Sequence, residues 1–189
     1  WDAPLKPKTV PKAKNFVAKG VYMNPSSAGT RTILDTGYKL RLSGANTVVF
    51  DAKDDLGAIT YPSPLKARYF PNEDYTPNIE ELPKMIEYLH RMGVHVVARM
   101  VVLKDPIMAK NNPQWCINRE KNWLNPADPD VQEYLLAVVR ELSDSGVDEI
   151  QLDYIRYFAD TKTDTGVDGV SRSDIIAGLL KKIHDVTAP

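Results

Sequence analysis

At 189 residues, 43% hydrophobic and 26% charged, the chain has the composition of an ordinary globular protein with room for one good core. Its net charge of −1 lacks the basic excess that marks nucleic-acid and anionic-membrane binders. Cys116 stands alone, which excludes an internal disulfide and a CxxC motif, and no run of ~20 apolar residues offers a transmembrane segment.

Residues 1–15 interleave Pro4, Pro7 and Pro11 with Lys6, Lys8, Lys12 and Lys14, the composition of a semi-rigid linker. The chain opens on Trp1, as expected of a processed or excised piece. Such a linker suits a tether to a signal peptide or membrane anchor, which gives an extracellular or cell-envelope location. An ordinary N-terminal tail is the equal alternative.

From Phe16 the chain alternates strands and helices. A strand is expected over 17–23 and a helix over 31–42, closed by Gly44. The second strand, 47–54, opens Thr-Val-Val-Phe, β-branched and aromatic. A long polar loop to Pro77 follows. The next helix, 79–92, puts Ile79, Leu82, Met85, Ile86, Leu89 and Met92 on one face. Asn78 and Glu81 offer it a capping box, and Pro83 lies slightly deep for a first-turn proline, predicting a bent start.

Strand three, 94–103, is almost wholly apolar, as a parallel strand covered on both faces should be. A second long loop, 104–126, carries Trp115 and Trp123. Asp128-Pro129 reads as an N-cap with proline at N1, opening a helix that Gly146 closes. Strand four, 148–157, leads through a Gly/Asp/Thr-rich loop to a last helix capped by Ser171 and Asp174. Four β-α units in a row specify an α/β fold with a parallel sheet. A parallel (β/α) barrel of TIM type takes ~250 residues. Residues 16–189 are therefore either about half of such a barrel or an open four-stranded sheet.

Strand parity locates the chemistry. Asp51 and Lys53 share one face of strand two, Arg99 joins Val97 and Val101 on strand three, and Gln151 joins Asp153 on strand four. All lie toward the C-terminal strand ends, where barrels carry their catalytic residues. A buried carboxylate is costly unless paired or functional, which makes Asp153 the leading catalytic candidate. An ion-pair cluster of Arg99 with Asp51 and Asp153 is the structural alternative, and it would also lower the Asp153 pKa. Loop aromatics Tyr61, Tyr69, Phe70, Trp115 and Trp123 suit the apolar faces of sugar rings, or else pin their loops to the barrel wall. Three scattered histidines (His90, His95, His184) make a histidine metal site improbable. No metal or other cofactor is implied, although Asp51, Asp54, Asp55 and Asp153 leave room for a hard cation.

Several collinear motifs carry a resemblance. They are Lys19-Gly20-Val21-Tyr22; Asn46 through Asp55 with Gly57 and Thr60-Tyr61; Ala98 through Pro106; Trp123-Leu124-Asn125-Pro126; and Asp148 through Tyr157. Together they resemble a glycoside hydrolase family catalogued as a domain of unknown function, DUF4015, related to the amylase-like barrels. The resemblance covers essentially everything after residue 16. It implies a TIM-like barrel acting on a polysaccharide or oligosaccharide of the cell envelope, with Asp153 as nucleophile or base. Asp51, Lys53, Arg99, Gln151, Arg156, Tyr61 and Trp123 are the expected substrate-binding residues.

Glycosidases use two carboxyl groups, ~5–5.5 Å apart for retention or ~6.5–9.5 Å for inversion. The second acid is expected on a later strand, outside these four units, so this piece alone is expected to be inactive. Its unpaired first and last strands predict a homodimer through the sheet edges. A non-catalytic polysaccharide-binding or scaffold module is the alternative. A phosphate-handling enzyme is disfavoured, because no Gly-rich loop follows a strand.

Overall fold

The computed structural model describes residues 16–29, 32–117, 122–158, 167 and 169–187. The expected linker, 1–15, lies outside the described residues. Four strands, β1 (Gly20–Met23), β2 (Thr47–Lys53), β3 (His95–Val101) and β4 (Glu149–Asp153), form one parallel sheet in the order β1-β2-β3-β4. Each strand lies beside its successor in sequence, which is the strand order of a TIM-type barrel wall. Among the described residues, β1 and β4 each have one paired edge.

The two faces of the sheet differ. Val48, Phe50, Val96, Ala98 and Met100 are fully buried in one core with residues of α2 (Thr32–Leu42), α4 (Leu82–Arg91) and α6 (Pro129–Ser145). Strand alternation sends Tyr22, Val49, Arg99 and Gln151 to the opposite face, where Tyr22 and Gln151 are exposed and Val49 and Arg99 half-buried. That second face is the lumen side of a partial barrel.

The caps read in the sequence form where local chemistry is self-sufficient. The Asp128 carboxylate accepts the Asp130 and Val131 N–H groups at the start of α6, and Gly146 closes that helix with a φ of +90°. Ser171 Oγ accepts the Asp174 N–H at the start of α7 (Arg172–Thr187). The Asn78/Glu81 capping box does not form. Helix α4 starts three residues later than expected, with Glu81 as an N-cap whose side chain makes no capping bond. Pro83 therefore falls in the first turn, where its missing N–H is not needed.

The two long loops hold short helices that apolar periodicity does not reveal, α3 (Pro64–Tyr69) and α5 (Pro106–Asn111), each opened by a capped proline. A four-residue turn of helix, α1 (Pro25–Ala28), also follows β1. Gly57 is required where these loops meet. Its φ is +94°, and a Cβ there would lie 2.0 Å from Asp105 Oδ1.

Candidate functional site

The site is built on strand register. Asp51 on β2 pairs with Arg99 on β3, Arg99 pairs with Gln151 on β4, and Val101 pairs with Asp153. Arg99, long enough to span two strands, donates from Nη1 to Asp51 Oδ1 at 2.6 Å. It also donates from Nη2 and Nε to Asp153 Oδ2, at 2.5 and 3.0 Å. Tyr22, reaching over from β1, donates its hydroxyl to Asp51 Oδ2 at 2.5 Å. One guanidinium thus holds two carboxylates, and the third side of the cluster is a phenol.

The two carboxylates are not equivalent. The Asp51 side chain is 5% exposed and both its oxygens are engaged. The Asp153 side chain is 40% exposed, so it is the one a substrate can reach. Burial pushes the Asp153 carboxyl up, but the Arg99 hydrogen bonds, the Tyr154 N–H and the charges of Arg99 and Arg156 outweigh it. The net effect holds it below the usual 3.8. Burial, then the bond to Asp51, push the Tyr22 hydroxyl up to about 12, so it stays a donor.

Because the Asp153 pKa is depressed, its contribution to stability is present above 3.8 and is lost as pH falls through the lowered value. The expected result of a ¹³C-carboxyl titration is a midpoint below 3.8 in the native chain. In Arg99→Met the midpoint should rise, because burial then loses its largest counterweight. An unchanged midpoint in Arg99→Met would show that the contact is not made in solution.

Backbone geometry marks the same spot. Tyr154, immediately after Asp153, has a φ of +51°, the single positive value found among non-glycine residues in the described part. Its N–H donates to Asp153 Oδ1 at 2.7 Å. Such a conformation costs on the order of 1–3 kcal/mol and tends to accompany functional sites. Here it ends β4 and turns an N–H onto the carboxylate.

The structure buries Lys53, Tyr61 and Trp123, three of the expected substrate-binding residues. Lys53 does not share the Asp51 face. The pairing moves from Asp51 opposite Arg99 to Lys53 opposite Met100, so two steps on β2 meet one on β3, a β-bulge that turns Lys53 to the helix side. There it is fully buried, with Nζ 2.8 Å from both Val101 O and Asp105 Oδ2.

Tyr61 is also buried. The chain folds back at a Lys53–Ile59 bridge, and the Tyr61 hydroxyl donates to Glu141 Oε2 on α6 at 3.1 Å, in the helix layer. Trp123 is 5% exposed, packed against Tyr154 and Phe158 and covered by Arg156, so it forms a shelf and presents little ring to a ligand.

Gln151 is exposed on the lumen face and Arg156 is exposed beyond the end of β4. At the same rim Lys104 pairs with Asp55 at 2.9 Å and lies 5.2 Å from the Tyr154 ring centroid. Sequence reasoning passed over Tyr22 and this Lys104–Asp55 pair. Tyr22 was detectable only as the one polar-tipped side chain of a four-residue strand. The Asp51, Asp54, Asp55 and Asp153 carboxylates are not gathered for a cation, and no group of three or more His, Cys, Asp or Glu among the described residues is arranged as a metal site.

At the other end of the sheet His90 and His95, scattered in sequence, both approach Asp148, at 2.9 and 3.6 Å. Among the described residues, no helix is long and apolar enough to cross a membrane.

A four-stranded TIM-type partial barrel with an accessible, arginine-held carboxylate at its C-terminal strand ends belongs to the class of barrels that carry their chemistry at that face. The chain belongs to the DUF4015 family, described as "Putative glycosyl hydrolase domain", whose model matches residues 20–184. No curated protein matches the chain.

Among solved structures it is similar to a hypothetical protein from Ruminiclostridium thermocellum, at 26% identity and a TM-score of 0.75, covering 87% of this chain and 91% of that one. It is similar in fold to an α-galactosidase from Thermus thermophilus (TM-score 0.61, 12% identity, 94% of this chain and 37% of that one). A third is the α-L-fucosidase isoenzyme 2 from Paenibacillus thiaminolyticus (TM-score 0.58, 18% identity, 90% of this chain and 29% of that one). The chain thus spans about a third of those two glycosidases, and fits a partial barrel.

Proposed function

We propose that this domain belongs to a glycoside hydrolase of polysaccharides, with Asp153 as the carboxylate that attacks or stabilises the sugar. The observation that carries this is the accessible Asp153 carboxylate at the end of β4, held ionised by Arg99 and backed by the Tyr154 N–H. A carboxylate with a lowered pKa suits a nucleophile or an electrostatic stabiliser and is unsuited to protonating a leaving group. The general acid is then a different group, and Asp51, buried against Arg99 and Tyr22, serves to place Arg99.

The family membership and the fold of the glycosidase neighbours support this reading. The Pro/Lys-rich residues 1–15 support an extracellular or envelope setting. Loss of polysaccharide hydrolysis in Asp153→Asn, made in a polypeptide carrying eight β-α units, tests it; glycan binding by that polypeptide that never leads to cleavage would favour the binding-module alternative.

The open edges of β1 and β4 support association of two copies of residues 1–189, each covering the other's unpaired strands. Sedimentation equilibrium should then give twice the 21.2 kDa chain mass. A monomer at all concentrations removes this part of the proposal.

A further inference from the structure

Among the described residues, the basic side chains around the mouth are committed to carboxylates, with one exception. Arg99 is shared by Asp51 and Asp153, Lys104 is taken by Asp55, and Lys53 is sealed against Asp105. Arg156 is different. It is exposed, and among the described residues no carboxylate lies within ion-pair distance of it. Its one hydrogen bond is long, from Nη1 to the Tyr157 carbonyl at 3.3 Å. A guanidinium has five N–H donors, so most of its capacity is unspent.

The side chain is nonetheless held in place. Its guanidinium carbon lies 4.7 Å from the Trp123 ring centroid and 5.9 Å from that of Tyr154. Trp123 is itself fixed, since its buried ring packs on Tyr154 and Phe158. A planar cation stacked on an aromatic shelf retains its edge donors for a ligand and has lost part of its rotamer freedom beforehand. The position is beside the chemistry. Arg156 is three residues beyond Asp153, near enough for its charge to help hold that carboxyl down.

We propose that Arg156 is the specificity residue for an anionic sugar, recognising the paired oxygens of a uronate carboxylate or a sulfate ester on the unit bound at Asp153. The inference rests on the glycoside hydrolase reading and sharpens it to acidic polysaccharides. The geometry of the fork is what matches either anion, since a guanidinium engages two oxygens of one group at once. A neutral sugar makes no comparable demand on an unpaired cation at this place. If Arg156 served only to cover Trp123, its charge would be irrelevant to which glycan binds.

The test is calorimetric binding of residues 1–189 to three oligosaccharides of matched length, an oligogalacturonate, a sulfated oligomer and a neutral oligoglucan, at low and raised salt. The expected result is roughly tenfold or more tighter binding of one anionic oligomer than of the neutral one, weakening with salt. Arg156→Gln should abolish that preference, so that the anionic and neutral oligomers then bind equally. Arg156→Lys, which keeps the charge without the fork, should fall between.

Preference for the uronate or for the sulfate supports the proposal and identifies the anion. Equal binding of neutral and anionic oligomers, or a preference that survives Arg156→Gln, overturns it and leaves the glycoside hydrolase reading standing. Binding of no glycan at all overturns both.

Discussion

In a polypeptide carrying eight β-α units, Asp153→Asn is expected to reduce polysaccharide hydrolysis by roughly 10²–10⁴-fold or more, with the fold intact. The size of the effect follows from what the substitution removes. Asparagine keeps the shape and can still accept from the Tyr154 N–H, but it carries no negative charge to attack or stabilise an oxocarbenium-like centre. Stability should change little, because the Asp153 side chain is 40% exposed and β4 is held by main-chain bonds to β3.

Asp51→Asn makes the contrast. Asp51 is almost fully buried between Arg99 and Tyr22, so that variant should lose stability as well as activity. Retention of full hydrolysis by Asp153→Asn would remove Asp153 from the chemistry. Circular dichroism of each variant separates a catalytic loss from a folding loss. Residues 1–189 alone are expected to show no turnover, because two carboxyl groups at defined separation are required and Asp51 is occupied.

The second large effect is on stability. Lys53→Met should destabilise the domain by about 3–5 kcal/mol, measured by denaturant unfolding, because it strands the Asp105 charge in the core. Both side chains of the Lys53–Asp105 pair are 0% exposed, and the ion pair is 2.8 Å long. Asp105 also caps α5 through the Met108 N–H at 2.8 Å and accepts from the Tyr134 hydroxyl at 3.2 Å. These bonds keep the carboxylate from being completely orphaned without lysine, yet they supply no countercharge.

The double variant Lys53→Met with Asp105→Asn should recover much of the loss. No charge is then left buried, and the asparagine oxygen can still cap the helix. A cost below about 1 kcal/mol for Lys53→Met would show that water reaches the pair. The pair matters to function through position. Lys53 also donates to Val101 O, so it ties the C-terminal end of β2 to that of β3, one strand from Asp153.

Much of this molecule was legible without a structure. The four β-α units, the Asp128-Pro129 start and Gly146 end of α6, and the Ser171 cap of α7 depend on neighbours within a few residues. Strand alternation also brought Asp51, Arg99, Gln151 and Asp153 to one face, and register then set the contacts that Arg99 makes. Parity is a local property, and it survives wherever a strand runs without interruption.

What parity could not foresee is the extra residue between Asp51 and Lys53. One bulge moved Lys53 from the lumen into the core, where its partner Asp105 lies 52 positions away on the second long loop. Tyr61 and Trp123 kept two readings in the sequence, sugar contact or loop anchoring, for the same reason. An aromatic on a loop is drawn either to a ligand or to the nearest apolar surface, and only the packed structure reveals which surface is near. The sequence by itself therefore determined the element order, the parallel α/β sheet and the set of charges at its C-terminal strand ends. The tertiary structure decided which charges face solvent and which are sealed, since burial and ion pairing arise from contacts between distant segments.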